Sequence, residues 1–445
     1  MHEKGVDGGM ARKNGRRFDV KRWFGIGLSL LVIGINYSPP VQLMRALPDV
    51  LHMTPGQEHQ LNLGIPLNVS VEEDGAAVLA SGDETLGDAM RTSISLTPGS
   101  TGESRLHFSL LGLLPVKNIQ VQVQPERILI PGGQAIGVAL QTSGVLVVGT
   151  SDLSGGQEPN PARQAGIKPG DLIHTVNDAQ IESASHLAMV VNENGAKPLR
   201  IGVERQDQRL HFDVSPAIDR LDGNYRLGIW VRDSTAGVGT LSFYDPKDGS
   251  FGALGHAITD VDTGMALTVA EGQILQAQVV DVLRGERGKP GELKGSFLKE
   301  KIVLGSISKN NVFGIYGAMG KPIEASLYPQ GLPVGARSMV HPGKATILST
   351  VEGGQAHEYD IEIVRCTPQS KAAQKGIVIK VTDPELLSKT GGIVQGMSGS
   401  PILQDGCIVG VVTHVYVNDP THGYGMYIDW MLEQTLEETI GEKAA

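Results

Sequence analysis

The stretch of this chain best suited to chemistry is Gly396-Met397-Ser398-Gly399-Ser400-Pro401, a serine held between glycines. Gly396 and Gly399 can take backbone angles closed to residues that carry a Cβ. In the sharp turn they permit, the amides of Gly396 and Ser398 converge beside the Ser398 hydroxyl and form an oxyanion hole. A serine hydroxyl is a weak nucleophile and needs a base within hydrogen-bond reach, usually a histidine oriented by a carboxylate. His256 lies among small residues in Phe251-Gly252-Ala253-Leu254-Gly255-His256-Ala257-Ile258-Thr259-Asp260, which leaves room for a ring facing a cleft. His414 sits on the strand after the nucleophile and is the second candidate, also readable as a core histidine. His341 and His357 lie in polar loops, and His422 is near the end. For the carboxylate the choice is among Asp383, which ends an apolar strand before a turn, and Asp260, Asp262 and Asp419.

The elements around Ser398 separate two hydrolase designs. An α/β-hydrolase elbow needs Gly-x-Ser-x-Gly followed by a helix. Here position 400 is serine, and Ile402-Leu403, a Gln404-Asp405-Gly406 turn and the β-rich run from Cys407 to Val417 make a hairpin. Serine, hairpin and apolar strand resemble the C-terminal barrel of a chymotrypsin-like peptidase. Residues 216–445 hold at least nine candidate strands, enough for a barrel or paired barrels. The run 430–440 places Met431, Leu432, Leu436 and Ile440 at helical spacing. Trypsin-like enzymes have Asp before the nucleophile, able to pair with a new amino terminus. Met397 stands there in this chain, so activation by that ion pair is not available.

Residues 116–215 carry a second pattern. Pro161-Ala162-Arg163-Gln164-Ala165-Gly166-Ile167-Lys168-Pro169-Gly170-Asp171 reads as a short helix, a glycine C-cap and a Pro-Gly turn into a strand. Residues 183–192 read as a second helix, and 199–204 and 209–214 as strands. This is similar to a PDZ domain of the kind attached to exported bacterial proteases. The resemblance implies that an extended peptide adds as a strand beside Gly137, Val138, Ala139 and Leu140, with backbone amides holding its carboxylate.

Composition bounds the rest. A chain of 445 residues with 58 Gly, 24 Pro and 4% aromatics favours a mainly β protein of about three domains. A net charge of −10 argues against nucleic acid as the main partner. Residues 1–22 are the exception, with seven Lys or Arg against Glu3, Asp7 and Asp19. They lead into the apolar run 23–38, which reads as an export signal or an uncleaved anchor and leaves residues 39–445 outside the membrane. Residues 39–115 read as a β-rich spacer. No Cys/His cluster has metal-ligand spacing, and no metal or cofactor is expected. Cys366 and Cys407 are open to pairing or to separate core positions.

Taken together, the anchor, the Ala165–Asp171 signature, the motifs around His256 and Ser398, and Thr413-His414-Val415-Tyr416-Val417-Asn418-Asp419-Pro420-Thr421 resemble the stage IV sporulation protein B (SpoIVB) peptidases of endospore-forming bacteria. The resemblance covers nearly the whole chain and implies a serine peptidase with His256 as base, Asp383 as orienting acid and Ser398 as nucleophile. It further implies self-cleavage, action in the space between the forespore membranes, and cutting of a membrane-bound inhibitory partner so that the late mother-cell sigma factor is processed. The competing expectation is a non-catalytic PDZ-based signalling scaffold at the membrane.

Overall fold

The structure, a computed structural model, describes residues 26–441 apart from 27, 31–32, 35–36, 39–40, 43–46, 48–49, 54, 57, 73–90, 124–125, 154–159, 207, 298–301, 322–325 and 370. The basic segment and half of the expected anchor after it therefore lie outside the described residues. Ile26, Leu28 to Leu30, Ile33 and Gly34 are helical, and no helix among the described residues is long and apolar enough to cross a membrane.

Two units divide the chain, one of residues 1–51 and 55–123, the other of 52–54 and 124–445. In the first, β1 (Val50–Met53), β2 (His59–Val71), β3 (Arg91–Leu96), β4 (Gly102–Leu110) and β5 (Leu114–Val123) form one sheet in the order β1-β5-β4-β2-β3. Alternation along these strands buries Leu63, Leu67, Leu106 and Ile119 on one face, so the expected spacer has a core of its own. That unit extends to Val123. Ile119 to Val123 thus pair with β4 and are not the opening strand of the PDZ-like module, as residues 116–215 had implied.

The second unit is built on two strands of 16 residues, β7 (Ala135–Thr150) and β14 (Ile229–Tyr244). Their antiparallel pairing runs from Thr240↔Ala135 to Ile229↔Thr150. With β15 (Ser250–Ala253), β16 (Val269–Leu283), β18 (Val303–Asn311) and β19 (Gly314–Met319), they close a ring in the order β7-β16-β18-β19-β15-β14. β6 (Ile128–Pro131) pairs with β14 beside it, β17 (Glu292–Phe297) pairs with β16, and β20 (Leu332–Pro333) pairs with β6. A second closed barrel runs β21-β22-β23-β26-β25-β24, from β21 (Gly343–Ser349), β22 (His357–Cys366), β23 (Ile377–Val381), β24 (Pro401–Gln404), β25 (Cys407–Val415) and β26 (His422–Tyr427). Its interior is the larger core, with Ile347, Ile363, Ile379, Ile402, Val411 and Met397 fully buried. The C-terminal helix (Ile428–Gly441) begins against it with Trp430 and Met431 buried. A barrel or paired barrels within residues 216–445 were the expectation; the structure has two barrels, and the first takes β7 from residues 135–150. Cys366 and Cys407 are free thiols.

The PDZ-like module grows out of the first barrel. Past Gln141, β7 turns its pairing to β8 (Leu172–Val176), and β10 (Leu199–Arg205) and β11 (Gln208–Val214) continue the sheet. Helices α1 (Pro161–Ala165) and α2 (Ala184–Asn194) cover its core of Val147, Ile173, Leu187, Val191 and Ile201. Beyond β11, β12 (Ala217–Ile218) and β13 (Tyr225–Arg226) form a small hairpin. The module is therefore nested between β7 and β14, not placed before the barrels.

The Pro-Gly-Asp signature has a physical explanation here. The Asp171 carboxylate is buried, accepts the Lys168 amide at 2.8 Å, and receives Arg205 Nε at 2.6 Å and Nη2 at 2.7 Å. Arg205 Nη2 also donates to the Gly166 carbonyl at 2.8 Å, and its guanidinium lies over the Phe212 ring. One charged pair thus ties the C-cap of α1 to β10 and β11. Removing only the cation leaves a buried carboxylate unpaired, so Arg205→Met is expected to cost about 3 kcal/mol, read as a lowered urea midpoint with loss of amide protection across residues 161–176.

Candidate active site

The nucleophile loop lies between the two barrels, entering β24 of the second. Gly396 and Gly399 both have φ of 95°, as the turn requires. Each peptide of the loop is tied down. The Gln395 carbonyl accepts the Leu293 amide at 2.8 Å, the Met397 carbonyl accepts the Ser400 amide at 3.0 Å, and the Gly399 amide donates to Val412 at 2.7 Å. The amides of Gly396 and Ser398 have no hydrogen-bond partner among the described residues. Two unengaged donors beside a serine hydroxyl are what an oxyanion hole needs. Met397, standing where trypsin-like enzymes have aspartate, is wholly buried in the second barrel's core.

The candidate base approaches from the first barrel. β15 ends at Ala253, and Leu254 and Gly255 then both turn left-handed, at φ 71° and 70°. For leucine that conformation costs on the order of 1 kcal/mol or more, the kind of strain that collects at functional sites. It brings the His256 loop against the nucleophile: a Cβ on Gly399 would sit 2.5 Å from the Leu254 nitrogen. His256 Nδ1 lies 2.9 Å from the Ala257 carbonyl, which can only accept, so Nδ1 carries the proton and Nε2 keeps the lone pair. Ser398 Oγ donates to the Thr413 carbonyl at 2.9 Å and is not bonded to His256 in this state.

His414, the second candidate base, follows Thr413 on β25. Its ring centre is 6.0 Å from that of His256, and its Nδ1 is buried with no hydrogen-bond partner. Burial above all, with His256 and Lys375 close by, holds its pKa down to about 4. The structure therefore brings His256, His414 and Ser398 together. His341, paired at 2.9 Å with Asp405, and His357 are exposed and belong to other surfaces.

None of the four candidate carboxylates hydrogen-bonds to His256. Asp383 caps helix α3 (Pro384–Thr390): Oδ1 accepts the Leu386 amide at 2.8 Å and Oδ2 the Asp360 amide at 3.4 Å. Asp260 is buried, paired with Arg232, and accepts the Thr263 amide at 2.8 Å. Asp262 meets Arg232 at 2.8 Å, and Asp419 holds His422 at 2.8 Å. The tautomer of His256 is set instead by the Ala257 carbonyl. Sequence reasoning missed this role and that of the Thr413 carbonyl, since backbone acceptors leave no mark on residue type.

Nor are the four residues expected to hold a peptide placed to do so. Gly137, Val138, Ala139 and Leu140 pair with β14 on one edge and β16 on the other, so no peptide can add beside them. Phe297 further closes the space over Gly137, where a Cβ would lie 2.2 Å from its ring. An open groove of 840 Å³ lies instead between α2 and the first turns of β14, lined by Leu187, Val191, Ile229 and Trp230. There, among the described residues, β14 pairs only with β7. The sequence held the signal in duplicate: Ile136-Gly137-Val138 and Leu227-Gly228-Ile229 are both apolar-Gly-apolar.

Two outcomes follow from this geometry. Asp383→Ala removes the α3 cap and is expected to cost about 1 kcal/mol in denaturant unfolding, whereas Asp383→Asn, also a good cap, leaves stability near the parent's. His414, neutral in the fold, takes up a proton near 6.5 once unfolded. Its contribution is therefore fully present above about 6.5 and lost as pH falls from there towards 4. Denaturant midpoints measured between pH 7 and pH 4.5 are expected to fall more steeply for the parent than for His414→Phe.

Comparison with known proteins adds the family. The chain is similar to a putative zinc metalloprotease of Lactococcus lactis, 26% identical over 26% of this chain and 25% of that protein. It is likewise similar to the regulator of sigma-W protease RasP of Bacillus subtilis, 27% identical over 28% of each chain. The chain thus spans about a quarter of the length of these curated relatives. Among solved structures, a PDZ domain of an SdrC-like protein from Listeria monocytogenes matches at 18% identity, covering 20% of this chain and 90% of that one with a TM-score of 0.18. Residues 223–432 match the SpoIVB peptidase S55 family, a span that contains His256, Asp383 and Ser398. That match identifies residues 223–432 as a SpoIVB-type serine peptidase domain.

Proposed function

We propose that the protein is a membrane-tethered endopeptidase of sporulation that cleaves itself and the extracytoplasmic part of a membrane-bound regulator. The family and the expected anchor support this reading, with the space between the forespore membranes as the site of action. Release of the regulator would then activate processing of the late mother-cell sigma factor. The observation that carries the catalytic part is the pair of unengaged amides at Gly396 and Ser398 beside the Ser398 hydroxyl, with His256 presented from the facing barrel.

In the proposed reaction the Ser398 side chain rotates away from the Thr413 carbonyl and donates to His256 Nε2. His256 removes the proton as Oγ attacks the scissile carbonyl, and the oxyanion settles on the Gly396 and Ser398 amides. The Ala257 carbonyl keeps Nδ1–H in place, and the imidazolium then protonates the leaving amine. Without a carboxylate on Nδ1 the imidazolium is stabilised less than in a full triad. The groove between α2 and β14 takes an extended peptide segment along the edge of β14 away from β7, either of the substrate or of the chain itself.

The resting bond from Ser398 to Thr413 also suits the alternative, a non-catalytic scaffold. Mass spectrometry of the purified chain incubated beside Ser398→Ala and His256→Ala versions separates the two. Self-shortening of the parent alone is expected, with both variants folded by circular dichroism. Cleavage by the Ser398→Ala chain at the parent's rate removes Ser398 as nucleophile.

A further inference from the structure

We propose that Thr240 is a positioning residue of this active site: its hydroxyl locks the Gly396–Met397 peptide so that the two oxyanion amides face one point. The inference rests on the serine-peptidase reading and goes beyond it, since Thr240 lies on β14 of the first barrel, 156 residues from Gly396 in sequence.

Thr240 is almost wholly buried, and its Oγ1 donates to the Gly396 carbonyl at 2.7 Å. The oxyanion amides belong to two different peptides. The Gly396 amide is in the Gln395–Gly396 peptide, held through its carbonyl by Leu293 at 2.8 Å. The Ser398 amide is in the Met397–Ser398 peptide, held through its carbonyl by Ser400 at 3.0 Å. Between them lies the Gly396–Met397 peptide. Its amide closes a turn onto Val394 at a long 3.2 Å, and Thr240 holds its carbonyl. Gly396, at φ 95°, has no Cβ to resist rotation of that peptide. A flip there would change the angle between the flanking peptides and separate the two donors.

The same residue also registers the base. The Thr240 carbonyl accepts the Leu254 amide at 3.2 Å, two residues before His256. It lies so close to Gly399 that a Cβ there would be 2.4 Å from it. Thr240 is itself fixed by pairing with Ala135 of β7. Through its carbonyl and hydroxyl, one residue of the first barrel therefore sets the base loop and the nucleophile loop in a common frame.

The test uses the full chain and the rate at which a fluorophosphonate labels Ser398, a reaction that needs the nucleophile and the oxyanion hole but no known substrate. Thr240→Val keeps the shape and removes the hydroxyl. Its maximal labelling rate is expected to fall on the order of 10- to 100-fold, with the half-saturating probe concentration unchanged. Thr240→Ser, which restores the hydroxyl, is expected to return labelling close to the parent's rate. Should Thr240→Val fail to fold, Thr240→Ala carries the same expectation. A folded Val or Ala variant that labels at the parent's rate overturns the proposal, and so does a Ser variant as slow as Val. If the parent itself is not labelled while folded, the serine-nucleophile reading fails and takes this inference with it.

Discussion

The pairing of β7 with β14 is the constraint on which the rest of the second unit depends. Both strands are 16 residues long, twice what one small barrel needs, and they stay paired from Thr240↔Ala135 to Ile229↔Thr150. One end of the pair closes the first barrel. The other carries the sheet of the PDZ-like module, and β14 there borders the groove. Separating these strands would open the barrel, release the module and withdraw Thr240 from the nucleophile loop.

Barrel closure has a chemical consequence. Gly137 to Leu140 are paired on both edges within the ring, so they cannot accept a peptide strand. Among the described residues, Ile229 to Arg232 of β14 pair with β7 alone, and the proposed peptide would add along their other edge. Catalysis is likewise placed where two closed bodies face each other. Each barrel contributes a loop it does not need for its own closure: Leu254 to His256 from the first and Gly396 to Gly399 from the second. The strain at Leu254 and the tight approach of Gly399 to Thr240 are borne by rigid sheets on both sides.

The site also shows how little of a catalytic arrangement resides in side chains. Ser398 and His256 are the proposed reacting groups, but the proton on His256 is placed by the Ala257 carbonyl and the hydroxyl of Ser398 rests on the Thr413 carbonyl. Asp383, the acid implied by resemblance, spends both carboxylate oxygens on backbone amides around α3. An aspartate before a proline at a strand end is as well suited to starting a helix as to orienting a ring, and its residue type does not separate the two uses.

By itself the sequence determined the local features. The glycines at 396 and 399 dictate a turn with a serine at its tip, because only they accept its backbone angles at no steric cost. The Ala165–Asp171 signature dictates a helix, a cap and a turn, and small residues around His256 mark it as a base candidate. Alternating apolar runs with turn residues between them indicate a mainly β chain with strands enough for a barrel or paired barrels. The tertiary structure alone decided which strand edges are paired, where the PDZ-like module is nested, that residues 119–123 belong to the first unit, and which groups touch His256. Those depend on pairings between residues far apart in sequence and on backbone carbonyls common to all residue types. A period of two says which face of a strand is buried, but not which neighbour lies beside it.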